Sequence, residues 1–157
     1  MSARSDLIAA YKKQVAAFRA RNEARDHGTR AEYTRADVAA MAAVAEWHTL
    51  REAARDTFAK SRGWRYDRKL FISVPQEYGA VSRRFIKNTE SFRDKNGKVV
   101  GLVTHTAATP EELAAYAARR GYNAELLPFS WDAPNYHSAV VLTLKPGATW
   151  AQERKSV

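Results

Sequence analysis

Between Lys60 and Lys98 cationic side chains are interleaved with flat rings. The stretch carries 11 Lys and Arg against 4 acids, which is +7 of the chain's total of +9. Residues 1–59 add +2 and residues 99–157 add nothing. Such a mixture suits a polyanion, because each neutralised phosphate releases counterions and an exposed ring can stack on a base. The expected contacts are Arg62, Arg65, Lys69, Arg83, Arg84 and Lys87 for phosphates, with Trp64, Phe71 and Phe85 available for stacking. This is a signal of charge clustering. It carries no information on sequence specificity, on DNA versus RNA, or on single versus double strands.

A second chemistry rests on two histidines. His105-Thr-Ala107 closes one expected strand and His137-Ser-Ala139 opens another. On neighbouring strands such a pair could act as acid and base in phosphodiester cleavage. Upstream, Lys69-Leu-Phe-Ile-Ser-Val-Pro75 resembles the opening strand of the two-histidine phosphoesterases. That family places a hydroxyl residue two positions after each histidine. Here Ala107 and Ala139 stand in those places, so the motif is incomplete and the family is not assigned. Isolated histidines at strand ends are more often structural. No glycine-rich phosphate loop is present, because the 7 glycines are scattered. With no cysteine and no histidine pair at ligand spacing, neither a metal nor a cofactor is expected.

These residues need a scaffold. The first 27 residues pattern as an amphipathic helix, with Ser5 as cap and Leu7, Ile8, Tyr11, Val15 and Phe18 along one stripe. Lys12 and Lys13 lie off that stripe and read as a solvated face. A second helix is expected from Arg35 to about Lys60, capped by Thr34 and Asp37 and leaving through Ser61-Arg62-Gly63. With Gly28 between them the two should form an antiparallel hairpin. Ala36 to Ala45 is apolar almost all round, so this part of the second helix calls for contact on more than one side.

From Trp64 the period falls from 3.6 to 2, marking a strand that Pro75 ends. Residues 76–92 read as either helix or strand, and Asn96-Gly97 favours a strand from about Arg83 that turns back there. The next strand, from Lys98 to Thr104, is apolar on both faces. Thr109-Pro110-Glu111-Glu112 is a complete helix start, and Gly121 a stop. Strands are expected near residues 124–130 and 136–144, the last presenting Val140, Leu142 and Leu144 to a core.

The expected class is α+β: an N-terminal antiparallel helical hairpin packed on a mostly antiparallel sheet of four to five strands, with one further helix. No linker composition interrupts 157 residues, so one domain is expected, with a hairpin over 1–62, a sheet over 63–146 and a tail from 147. No apolar run approaches a membrane span and no signal core follows the first charges, which favours a cytoplasmic protein. A non-enzymatic nucleic-acid-binding protein is the leading reading. The alternative is an interaction module, an assembly factor or inhibitor such as phages and mobile elements encode. It would form a homodimer or bind another protein through the helix face from Ala36 to Ala45 or the loop from Trp131 to Tyr136.

Overall fold

The structure, a computed structural model, describes residues 2–70, 88–106, 108–135 and 138–150. Its elements follow the order α1 (Ala3–His27), α2 (Arg30–Ser61), β1 (Arg65–Leu70), β2 (Asn88–Arg93), β3 (Val99–Thr106), α3 (Pro110–Arg120), β4 (Tyr122–Leu126) and β5 (Ser138–Leu144). The fold is α+β, the described residues forming two N-terminal helices, five strands and one further helix. The chain divides into two compact units at Ala54/Arg55, a boundary that falls inside α2.

In the first unit the helices start earlier than the sequence pattern suggested. Ser2, rather than Ser5, caps α1, its Oγ accepting from the Ser5 N–H at 3.1 Å. Thr29 takes the place expected of Thr34: its Oγ1 accepts from the Glu32 N–H and donates to the Glu32 carboxylate. Thr29-x-x-Glu32 is the better capping pair, and Thr34 instead donates back to the Arg30 carbonyl within the helix. Gly28 and Thr29 alone join the helices, which forces an antiparallel return. The pairs confirm it: Tyr11 meets Trp47 edge to face at 5.2 Å, Lys13 pairs with Glu46 at 3.0 Å, and Arg21 with Asp37 at 3.4 Å. Leu7, Ala10, Ala40, Ala43 and Trp47 are buried. The alanines let the helix axes come close, so this half of the expected all-round burial is realised. On the other side of α2, Val38 and Met41 remain 66% and 47% exposed.

The second unit begins with the last turns of α2. Gly63 has φ +70° and ends the helix, its N–H bonding to the Lys60 carbonyl while the Trp64 N–H reaches the Ala59 carbonyl at 2.8 Å. This double bond pattern with a left-handed residue is the Schellman ending that glycine permits. All five strands are antiparallel in the order β1-β2-β3-β5-β4. The β2–β3 hairpin turns at Lys95-Asn96-Gly97, where the sequence places it. Among the described residues only glycines have positive φ, so Asn96 does not take the conformation of a two-residue Asn-Gly turn. Instead the Asp94 carbonyl accepts from Gly97 and the Lys98 carbonyl from Asp94, with Gly97 at φ +81° completing a three-residue loop.

Register sorts the sheet residues onto two faces. Leu70, Leu102, Val140, Leu142 and Tyr122 lie on one, against Leu113, Tyr116 and Ala117 of α3, and form the main core. Asn88, Glu90 and Phe92 of β2 lie on the other, beside His105, Val103 and Gly101 of β3. Phe58, near the end of α2, covers this second face, its ring 5.5 Å from Phe92 and 5.4 Å from Trp131.

Candidate functional site

Two groups of described side chains contain residues singled out from the sequence. The first is on β1, an outer strand of the described sheet. Arg65, Arg68 and Lys69 are exposed along it, and Lys95 and Lys98 are exposed on the adjoining β2–β3 turn. The two acids of this corner are occupied. Asp67 marks a bulge in the β1–β2 register, accepts from Ser91 Oγ and pairs with Arg93 at 3.1 Å, with Arg68 at 3.9 Å. Asp94 accepts from the Asn96 and Lys98 N–H groups and shapes the turn. Among the described residues no carboxylate lies within ion-pair distance of Arg65, Lys69, Lys95 or Lys98.

The described rings of the same stretch, Trp64, Tyr66 and Phe92, are half-buried or buried. Phe92 is fully buried. Tyr66 lies beneath the Arg55 guanidinium, 3.6 Å from its ring centroid. Trp64 is half-buried against Gly101, where an added Cβ would meet its ring at 2.5 Å. Arg62 is ion-paired with Glu125 and sits 4.9 Å from the Phe58 ring. Among the described residues of the stretch, the rings are thus covered while Arg65, Arg68, Lys69, Lys95 and Lys98 are exposed. Phe71, Arg83, Arg84, Phe85 and Lys87, five of the nine expected contacts, lie outside the described residues.

The second group surrounds His105, which is fully buried. Its Nε2 is 2.7 Å from Glu90 Oε1, and its Nδ1 is 2.8 Å from Ser130 Oγ. A carboxylate can only accept, so Nε2 carries the proton and Nδ1 receives the serine hydroxyl. Trp131 Nε1 donates to the same Glu90 oxygen at 2.7 Å, and the Arg55 guanidinium stands 3.9 Å from the other. Glu90 itself is 7% exposed.

The order carboxylate, imidazole, hydroxyl is that of a nucleophile relay, yet Ser130 is not free to attack anything. The backbone N–H groups of Asp132 and Ala133 both donate to its Oγ at 3.1 Å, and its proton goes to the imidazole. The hydroxyl is also fully buried. These groups form a satisfied polar core that ties the 130–133 turn to β2 and β3. His137, the other candidate for acid–base work, lies outside the described residues.

Sequence reading identified His105 and missed Glu90, Ser130, Trp131 and Arg55. Glu90 had a signal: it alternates with Phe92, so the two must share a face. Trp131, taken from sequence as an exposed contact of a loop, is buried, as is Ala133. Tyr136 of that loop lies outside the described residues. Among the described residues no group of three or more His, Asp or Glu side chains is placed to hold a metal ion, and no helix is long and apolar enough to cross a membrane. Compared with known proteins, the chain matches no family model, no curated protein and no solved structure.

Proposed function

We propose that this protein binds a polyanion, and nucleic acid in particular, through the cationic edge formed by β1 and the β2–β3 turn. One observation carries the reading: four exposed cations, Arg65, Lys69, Lys95 and Lys98, have no carboxylate partner within the described residues, while the acids near them are committed elsewhere, Asp67 to Arg93, Asp94 to backbone N–H groups and Glu90, across from Lys69, to His105 and Trp131. Cations without a carboxylate partner along β1 and the adjoining turn can contact successive phosphates of a backbone. Binding would proceed by phosphate neutralisation and counterion release. Arg83, Arg84 and Lys87, with Phe71 and Phe85, remain part of the proposed contact set on the strength of sequence alone.

A charged edge strand also discourages edge-to-edge aggregation, which needs no ligand. Binding measurements separate the two roles. Fluorescence anisotropy with labelled single-stranded DNA, RNA and duplex DNA, each across a salt series, should give micromolar or tighter affinity near physiological salt for at least one of the three. Four or more phosphate contacts correspond to a log–log salt slope of about −3 or steeper. Equal, weak binding to all three that vanishes by moderate salt would be ordinary behaviour for a +9 chain and would overturn the proposal.

A further inference from the structure

We propose that β4 is a self-association surface, through which two copies of the chain pair their β4 strands antiparallel about Ala124. The two outer strands of the described sheet are built differently. β1 is broken by the bulge at Asp67 and carries three cations, both devices that keep another strand from adding. β4, the other outer strand, has neither bulge, cation nor proline: its register with β5 runs unbroken from Tyr122↔Leu144 to Leu126↔Val140. Asn123, Ala124, Glu125 and Leu126 are all exposed, Leu126 by 54%.

The direction of the backbone groups follows from the ladder. Lys145 donates to the Gly121 carbonyl and Leu127 to the Ala139 carbonyl, so the odd-numbered residues of β4 bond to β5. Antiparallel alternation then points the N–H and C=O of Ala124 and Leu126 towards the open edge. A strand added there would find a regular template.

The composition of β4 suits a second β4. Centred on Ala124, the whole strand overlaps, and the two Ala124 residues exchange both of their backbone bonds. Glu125 then lies beside Asn123 of the second copy, whose amide can donate to it, and the exposed Leu126 lies beside Tyr122 of the second copy. Centring one residue later would oppose Glu125 to Glu125 and is disfavoured by like charge. The result is a twofold contact that closes on itself as a dimer. It is independent of the polyanion reading.

Sedimentation velocity on the full chain over a concentration series tests it. The wild-type protein should move from one chain to two, with a dissociation constant on the order of 100 µM, as befits a small interface. Ala124→Pro removes an N–H that faces away from β5, so the sheet is preserved while the added strand is blocked. Leu126→Lys places a charge on the open edge without touching the backbone. Each should weaken the dimer at least tenfold. If circular dichroism finds Ala124→Pro unfolded, Leu126→Lys decides. A wild-type chain that stays single to 1 mM, or a dimer that neither variant weakens, overturns the proposal. So does a dimer lost only in Val38→Glu/Met41→Glu, which would place the interface on α2.

Discussion

At the residue scale the decisive group is His105, because its two partners come from distant parts of the chain and both are buried. Removing the ring by His105→Ala leaves Glu90 short of a donor and Ser130 short of an acceptor. The expected cost is about 3 kcal/mol in guanidinium unfolding. Ser130→Ala loses one side of the same chain of bonds and should cost about 1–2 kcal/mol. If the cluster acts as a unit, the double variant will fall short of the sum by about 1 kcal/mol, whereas strict additivity would mean the bonds are not coupled. Gly101 makes a second residue-scale test. Its backbone lies under Trp64, and Gly101→Ala should cost about 1–3 kcal/mol with a change in tryptophan fluorescence. Combining it with Trp64→Leu should recover part of that loss. No recovery would assign the cost to the strand backbone instead.

At the element scale the best-defined piece is α3. Thr109 accepts from the Glu112 N–H and Glu112 reaches back to the Thr109 N–H, so both halves of the capping box are formed. Thr109→Ala should cost about 1 kcal/mol and Thr109→Ser very little, read from the unfolding midpoint. This element was legible because all its signals are local: cap, proline, glutamate, apolar stripe and terminal glycine. Val140 and Leu142 of β5 were legible for the same reason, alternation being a property of neighbours. The start of α2 was misread because two threonines, Thr29 and Thr34, each stand three residues before an acid, and the pattern alone does not rank them. β4 begins earlier than expected because Gly121, left-handed at φ +75°, leads straight from α3 into the strand. Least legible was the His105 cluster. Asn88↔His105 pairing puts Glu90 within reach, and that depends on register, which no short window of sequence contains.

For the whole molecule, charge is the property on which the proposed function rests. The sequence showed where the +7 lies, and the pairing of Asp67 and Asp94 with backbone and Arg93 leaves the cations of β1 and the β2–β3 turn facing solvent. What alternation could not convey is that Trp64 and Phe92 pack against Phe58 at the end of α2, because that contact is decided by the helix rather than by the strand itself. The two outer strands of the described sheet repeat the contrast in charge at larger scale, one charged and bulged, the other plain. The measurement that bears most directly on the central claim is the salt slope of nucleic-acid binding for the wild-type chain and for the quadruple variant Arg65→Gln, Lys69→Gln, Lys95→Gln, Lys98→Gln. Binding along β1 predicts that the slope flattens by about 3, with affinity near physiological salt reduced at least tenfold and the unfolding midpoint little changed. An unaltered slope would contradict it and remove these four residues from the interface.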